Sequence, residues 1–529
     1  MRPNCHNKFF RSTNLLSLKI VIVLLFISSV SYSQEKKRIE ILKSGYGESD
    51  ESLPSNAQRL VDNVYIRHQE ILMWCDTAII YSGTNKVDAI GNVHIEKGDT
   101  LHLYANNVFY DGDISFARAW NNVVLINKDV KLYADTLDYD LDNNISYYDD
   151  FGRIEDSTTI LTSVIGKYFL DENNIYFYKD VEGYNDDFTL KSDTVKYNTE
   201  TGKMFVEGPT TIRDSANTLY TEDGWYNSKT GEAELKRKAI VYNESQKLDA
   251  NYIRYNKANG AGKALGSVRF EDFDNRSIIL GNSADFNKTE QTTVVTDSAV
   301  FITYTSTDSL FLHADTLRTI PDTIEGEKIV SAYYGVRFFR IDMQGLCDSL
   351  VYFTKDSIIQ LYQKPVIWSE NHQLSAERIE MQQNNNGPDE LHLSKKSFII
   401  SKQDTGQFDQ IKGKEMVGYI VDRELTKINV NGNGQTLYYA RENNEIIGLN
   451  RAESSKISIR FIEGKIHQIV FIDSPEGELK PLLELTEADK KLKDFDWKIR
   501  LRPLSKYDIF PRDKIIPADS SKNDLGQEK

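Results

Sequence analysis

One group of side chains has a spacing that could bind a metal ion. Asp140, Asp142 and Asn144 are arranged like the opening of a calcium-binding loop, in which alternate residues supply oxygen ligands. That loop requires a glycine at its sixth position and a glutamate at its twelfth, and these positions hold Ile145 and Phe151. The segment is therefore interpreted as a turn between strands.

The histidines also lack a recognised ligand pattern. His94 and His102 are eight residues apart and have no partner at a familiar ligand spacing, so we interpret both as residues on strand surfaces. The sequence motifs of zinc proteases, of serine hydrolases and of phosphate-binding loops are absent. The sequence therefore predicts no enzyme activity, no metal and no cofactor.

Composition limits the classes of partner. The 529 residues include 64 Lys and Arg against 79 Asp and Glu, which gives a net charge of -15. This acidic balance argues against a nucleic-acid partner, because phosphate binding requires a concentrated basic surface. Tyrosine (29) and phenylalanine (24) are abundant while proline (11) is scarce, a composition that favours β-strands.

Residues 1–33 have the pattern of a cleavable secretory signal peptide. Four basic residues and no acidic ones accompany a short apolar run at 20–27, and Ser31 and Ser33 provide small residues before a cleavage point. A retained membrane anchor is the alternative, but a spanning helix needs about 20 apolar residues. The exported chain would keep Cys75 and Cys347, which we expect to be buried free thiols.

Two short phrases recur with a period near 29 residues. The first ends in an aromatic residue, as in ADTLDY at 134–139 and SDTVKY at 192–197. Its last position recurs every 29 to 31 residues, at Ile80, Tyr110, Tyr139, Tyr168, Tyr197, Tyr226, Tyr255 and Phe286. The second phrase has polar residues before a valine, at Val64, Val93, Val123, Val181 and Val268. Two phrases in one register indicate a structural repeat.

Within each phrase apolar and polar residues alternate, which is the period of a strand and not of a helix. Segments rich in Asn, Asp and Gly separate the phrases and suit tight turns. The sequence thus predicts an all-β, elongated repeat β-jellyroll or solenoid of about a dozen repeats. The expected boundaries are a polar lead-in at 34–56, regular repeats at 57–320, degenerate repeats at 330–475, and an irregular or helical tail at 480–529.

The phrases GNVHI at 91–95 and GSVRF at 266–270, combined with the tyrosine phrase, resemble the OstA/LptA family of periplasmic lipopolysaccharide-transport proteins. In length the chain is similar to the long OstA-like proteins of Bacteroidetes-type Gram-negative bacteria. The resemblance implies a periplasmic β-jellyroll ("β-taco") that bridges the inner and outer membranes. The acyl chains of lipopolysaccharide (lipid A) would bind in its lengthwise apolar groove. It also implies end-to-end strand addition to inner-membrane LptC-like proteins, to outer-membrane LptD-like proteins or to further copies of the chain.

The inward members of the tyrosine phrase are the candidates for lining such a groove. They are Val108, Tyr110, Leu137, Tyr139, Val195, Tyr197, Ile253 and Tyr255. Alternation places them on one face but does not reveal whether that face is filled or open, so packing of the core is the alternative for each. We interpret the repeated short polar residues Asp76, Asn106, Asp135, Asp193 and Asn251 as structural residues at strand bends.

Two other classes of function remain open from the sequence. A passive β-solenoid scaffold or adhesin would have a filled interior and no affinity for lipid A. A polysaccharide-acting β-helix enzyme would need carboxylates or bases clustered in adjacent repeats on one outward face.

Overall fold

The computed structural model describes residues 38–49, 53–54, 56–305, 308–322, 327–384, 387–403, 406–442 and 445–510. The expected signal peptide, part of the lead-in and the end of the tail lie outside these residues. No helix in the described part of the chain is long and apolar enough to cross a membrane. The chain divides into two compact units, Met1–Asp150 and Phe151–Lys529, so the boundary expected near 320–330 falls inside the second unit.

The first unit is built from antiparallel strands joined by short turns. Its strands are β1 (Glu40–Lys43), β2 (Tyr46–Glu48), β3 (Ala57–His68), β4 (Ile71–Tyr81), β5 (Lys86–Lys97), β6 (Leu101–Asp111), β7 (Phe116–Asn127), β8 (Val130–Asp140) and β9 (Ile145–Tyr148). From β3 to β9 each strand pairs with the next along the chain. Such sequential pairing follows from the turns, which are too short for any crossover.

The second unit continues the same strand pattern. Its elements are β10 (Gly152–Glu155), β11 (Ile160–Ser163), β12 (Ile165–Phe169), β13 (Asn174–Tyr184), β14 (Phe188–Asn198), β15 (Lys203–Asp214), β16 (Thr218–Asn227), β17 (Glu232–Tyr242), β18 (Gln246–Asn256), β19 (Ala261–Asp272), β20 (Ser277–Asn287), β21 (Thr292–Thr296), β22 (Val300–Tyr304), β23 (Ser309–His313), β24 (Thr316–Pro321), β25 (Lys328–Phe339), β26 (Gln344–Phe353), β27 (Ile358–Tyr362), β28 (Val366–Ser369), β29 (His372–Ser375), β30 (Arg378–Gln382), β31 (Asp389–Lys402), β32 (Phe408–Val421), β33 (Glu424–Glu442), β34 (Glu445–Ile462), β35 (Lys465–Ile472) and β36 (Glu476–Lys480), with 3₁₀ turns at Leu482–Glu484 and Ile499–Leu501. The predicted all-β repeat is confirmed.

Alternate strands carry a bend near their middle. In β3, Asp62 and Asn63 have φ values of 70° and 50°, in the left-handed region. The strand register shifts at this point, because Val61 pairs with Thr77 whereas Val64 pairs with Cys75. Two residues of β3 therefore oppose one residue of β4, which is a β-bulge and bends the strand.

The bends recur through both units. Left-handed residues lie at 62/63, 91/92 and 121/122 in the first unit, and at 179/180, 208, 237/238, 266/267, 297/298, 334/335, 363/364, 395/396, 432/433 and 473/474 in the second. At each of the five valines of the second sequence phrase, the bend residues directly precede the valine. The phrase therefore marks where the chain bends, which the sequence reading did not recognise.

The bends fold the sheet of the first unit in half. We call the turns that follow β3, β5 and β7 the first edge, and those that follow β4, β6 and β8 the second edge. On a flat strand of 11 residues these edges would be about 33 Å apart. Instead, His68 Nδ1 on the first edge lies 2.6 Å from the Tyr110 hydroxyl on the second edge, and Lys97 donates to Asn144 Oδ1 over 2.8 Å.

The halves of the folded sheet enclose an apolar interior. Alternate residues of every long strand point into it, as Val87, Ala89, Val93 and Ile95 of β5 show. Burial of these side chains is the main source of stability in such a fold. Cys75 and Cys347 are both free and buried, as predicted. Burial raises the pKa of each thiol to about 12, which keeps both in the unreactive thiol form.

The segment after β36 packs on the outer face of the last strands. Leu492 is buried in a cluster with Phe398, Ile400, Leu437, Tyr439 and Leu449. The backbone is also fixed by side chains of the sheet: Gln373 donates to the Asp496 carbonyl over 2.7 Å, and Gln410 donates to the Lys490 carbonyl over 2.8 Å. The described part of this segment, 481–510, contains no α-helix, and it covers apolar positions that would otherwise face water.

The bend glycine at position 91 provides a test of the bulge geometry. Gly91 has φ of 79°, and a Cβ there would lie 2.5 Å from Asp76 Oδ2. We expect Gly91→Ala to lower the free energy of unfolding of the first unit by about 2–3 kcal/mol, because left-handed strain and a steric clash add. Urea denaturation measures the effect. Gly83→Ala is the control, since Gly83 has φ of 82° with nothing within 4 Å, and it should cost about 1 kcal/mol. Equal losses for both variants would contradict the clash.

Candidate functional site

The aromatic residues that end the first sequence phrase change their environment along the second unit; we call them the tyrosine column. Tyr168 and Tyr197 are each 1% exposed, whereas Tyr226 is 8% exposed. The next two members of the column, Tyr255 and Phe286, are half-buried. The side chains point into the same interior, so the interior must contain open space from about β16 onward.

That space is a cavity of about 750 Å³ enclosed by strands of the second unit. Its apolar lining includes Ile212, Leu219, Tyr226, Val241, Leu248, Ile253, Tyr255, Val268, Phe270, Ile279, Phe286, Val295, Phe301, Val330 and Tyr352. A second cavity of about 420 Å³ shares Asn275, Phe301, Thr303, Val330 and Tyr352 with the first. The two cavities are therefore neighbours along one interior.

Side-chain size contributes to the opening. The interior positions before the bend hold Ile175 and Phe177 in β13 but Gly262 and Ala264 in β19. Smaller side chains leave volume that the opposite half of the sheet does not fill. Small side chains alone do not open the interior, because Ala117 and Ala119 hold the equivalent positions in β7 of the first unit. There Tyr139, which pairs with Ala117, remains fully buried.

Lysines and polar groups surround the mouth of the cavity. Lys257 and Lys288 are exposed and line it, and Lys288 Nζ lies 3.5 Å from Asn217 Oδ1. Lys328 forms a 3.0 Å ion pair with Asp272. Burial opposes ionisation of Asp272, but hydrogen bonds from Asn275 and Lys328 outweigh it and hold the pKa of this carboxyl below its usual value. The cavity thus combines an apolar interior with a charged opening.

The tyrosines at the cavity have altered acidities. Burial, reinforced by Asp214 and Asp187, raises the pKa of Tyr226 to about 12. Burial and then Asp214 raise the pKa of Tyr255 as well. Both phenols therefore stay protonated near neutral pH, so they present hydroxyl groups and no negative charge to a ligand.

The structure separates the eight predicted groove residues into two sets. Ile253 and Tyr255 line the cavity, although Ile253 is 0% exposed to solvent. The other six line neither of the two cavities and are at most 1% exposed, which favours core packing for them, namely Val108, Tyr110, Leu137, Tyr139, Val195 and Tyr197. The sequence did not single out the apolar residues of β16, β19 and β20, because alternation does not reveal which interior positions face open space.

The repeated short polar residues lie opposite the bends. Asp76 Oδ2 accepts a 2.9 Å hydrogen bond from the side chain of Asn92, a left-handed bend residue. Asp193 and Asn251 lie against Gly208 and Gly266, which are also bend residues. This placement agrees with a structural role at strand bends.

The structure brings two of the histidines together. His94 and His102 were interpreted as strand-surface residues without a partner at a familiar spacing, yet the hairpin of β5 and β6 brings them to 3.1 Å between Nε2 and Nδ1. Glu96 joins them, and the three potential ligand atoms lie within 4.8 Å of one another. Residues eight apart meet because a tight turn pairs Glu96 with His102.

Comparison with known proteins identifies part of the chain. Residues 36–193 match the protein family described as "OstA-like protein". These residues form an OstA-like domain. The resemblance inferred from the repeated phrases is thereby confirmed for this part of the chain. The OstA-like domain includes all described strands of the first unit and ends within β14, so almost all of the cavity lining lies beyond it.

A solved structure also shows similarity. It is the crystal structure of LptH, the LptA homologous periplasmic component of the lipopolysaccharide transport device from Pseudomonas aeruginosa. The match has 8% sequence identity and a TM-score of 0.09, and it covers 31% of this chain and 78% of LptH. No curated protein matches the sequence.

Proposed function

We propose that this chain is a periplasmic lipopolysaccharide-transport protein that binds acyl chains in the cavity of its second unit. The observation that carries this proposal is the 750 Å³ apolar cavity with lysines at its mouth. The OstA-like domain supports the assignment to lipopolysaccharide transport. The chain contributes binding and no catalysis in this proposal.

The cavity has the size and lining that an acyl chain requires. Ligand pockets commonly measure about 300–1,000 Å³ and are mostly apolar. Each methylene that leaves water for such a site contributes about 0.8 kcal/mol. Binding of this kind depends on apolar area and not on specific chemistry, so neighbouring cavities can accept the same chain in turn.

The charges at the mouth suit an anionic head group. Lys257 and Lys288 are exposed beside the cavity, and lysine is a common ligand for phosphate. An amphiphile with its tails in the cavity would place its phosphates near these ammonium groups. Neutral lipids would gain the apolar contribution alone, so anionic lipids are expected to bind more tightly.

The ends of the described chain support assembly with other proteins. Among the described residues, β1 and β2 pair only with β3, and Ile41 and Tyr46 are 47% and 57% exposed. At the other end β35 and β36 pair with β34 alone in the described part. Edge strands of this kind, each paired on one side only among the described residues, can add a strand from another chain. LptC-like and LptD-like proteins, or further copies of this chain, are the proposed partners in a bridge between the membranes.

A photo-crosslinking amino acid provides the test in cells. Placed at Phe286, it should give lipopolysaccharide adducts, because this half-buried side chain lines the cavity. Placed at Tyr139, which is fully buried, it should give at least about tenfold fewer. Placed at Ile41, it should give protein adducts. Immunoblots against lipid A and against the protein measure all three.

The outcomes separate the alternatives. Absence of lipid adducts at Phe286 in a stably folded protein would contradict acyl-chain binding and favour a passive scaffold. Equal lipid adducts at Phe286 and Tyr139 would contradict the assignment of binding to the cavity. Protein adducts at Ile41 without lipid adducts at Phe286 would support strand addition and contradict lipopolysaccharide transport.

A further inference from the structure

The hairpin of β5 and β6 carries three potential metal ligands on one outer face of the first unit. Glu96 and His102 are direct cross-strand partners, and His94 lies diagonal to His102. His94 Nε2 and His102 Nδ1 are 3.1 Å apart. All three side chains are half-buried, so solvent ions can reach them.

These distances are close to those around one bound cation. Zinc binds imidazole nitrogen at about 2.0–2.1 Å with tetrahedral angles, which places two nitrogens about 3.3 Å apart. The three potential ligand atoms lie within 4.8 Å of one another, compared with about 3.3 Å for two ligands of one tetrahedral zinc ion. Glu96 is half-buried, so rotation of its side chain would bring a carboxylate oxygen closer to the two nitrogens.

Neighbouring rings fix the orientation of the histidines. The His94 ring stacks on Tyr104 with centroids 4.4 Å apart and on Trp74 at 5.0 Å. The rings belong to a cross-strand row in which Tyr65 pairs with Trp74, Trp74 with His94, and His94 with Tyr104. Stacking restricts the rotation of the imidazole, so less conformational entropy is lost when a metal binds.

We propose that His94, Glu96 and His102 form a binding site for a first-row transition cation, represented by Zn²⁺, with water completing the coordination. Two imidazole nitrogens and one carboxylate oxygen are a ligand set that zinc accepts. The ion would join β5 to β6 next to the turn that connects these two strands. This site is separate from the proposed lipid cavity, and it does not depend on the function of that cavity.

Calorimetry with ZnCl₂ on the full chain, purified without a histidine tag, tests the site. We expect one Zn²⁺ to bind per chain. The affinity should be at least about tenfold weaker in His102→Gln, because even the loss of a residue that only supports a metal ligand weakens metal binding by about 10–100-fold. His392→Gln is the matched control, since His392 also pairs with a glutamate, Glu390, at 2.9 Å. This control should keep the affinity of the unaltered chain.

Tryptophan fluorescence provides a second readout that locates the ion. Co²⁺ at the site should quench Trp74, whose ring stacks on His94, and Trp74→Phe should remove most of the saturable quenching. No saturable Zn²⁺ binding would overturn the proposal. Equal affinity in His102→Gln and the unaltered chain, or quenching that persists in Trp74→Phe, would also overturn it.

Discussion

Leu137→Asp is expected to unfold the first unit and not merely to weaken ligand binding. Leu137 is 0% exposed and lies opposite Ala119 in the interior of the folded sheet. An unpaired carboxylate at such a position costs about 3–5 kcal/mol or more, in addition to the lost apolar packing. This is a large part of the 5–15 kcal/mol that stabilises a typical domain.

Limited proteolysis combined with circular dichroism measures the Leu137→Asp effect. Cleavage should appear throughout 38–150 in the variant, while fragments of the second unit persist. Lys131→Asp is the control, because Lys131 is an exposed residue of the same strand, and this variant should remain resistant. A folded Leu137→Asp protein with a selective loss of lipid binding would contradict core packing and would return Leu137 to the groove.

Leu492→Ala is expected to release the segment after β36 from the sheet. Leu492 is 2% exposed and packs among apolar residues of β31, β33 and β34. Removal of a buried leucine side chain typically costs about 2–5 kcal/mol. The other apolar residues of the segment at this cluster, Leu485, Phe495 and Trp497, are only partly buried. Loss of the one fully buried side chain should therefore detach the segment locally before the second unit unfolds.

Hydrogen exchange provides the measurement for the Leu492 variant. Amides of 485–498 should exchange at least about tenfold faster, and Phe398 and Leu437 should become accessible. Leu483→Ala is the control, because Leu483 is 101% exposed and its truncation should change nothing. Unchanged protection in Leu492→Ala would show that the backbone bonds from Gln373 and Gln410 hold the segment without the leucine.

The repeated sequence phrases were sufficient to predict the fold class but not the bends. Alternation within ADTLDY at 134–139 identified strands, and the spacing of the tyrosines identified repeats. The polar residues before each valine were noted as part of the repeat but not interpreted as bends. Their left-handed conformation at Asp62, Asn63 and Asn92 was nevertheless signalled by residue type, because Asn, Asp and Gly adopt it most readily.

The cavity could be predicted only in part. Ile253 and Tyr255 were named because they continue the register of Tyr110 and Tyr139. Whether a given register position faces open space depends on the side chains across the interior, which come from distant repeats. The docking of Leu492 was likewise hidden, since its hydrogen-bond partner Gln410 is 82 residues away. Contacts of this kind arise from tertiary packing and leave no local pattern.

The bulges restrict where the chain can change in length. Side chains of a strand alternate between faces, so deletion of Asn63 would send Val64 and Ile66 outward and expose the apolar set of that half-strand. A turn at either edge has no such constraint, because extra residues there extend into solvent. Six residues separate β24 from β25, and six separate β30 from β31, more than in most of the other connections. Evolutionary insertions, and any engineered tag or reporter, should therefore be tolerated at the edges and rejected at the bends.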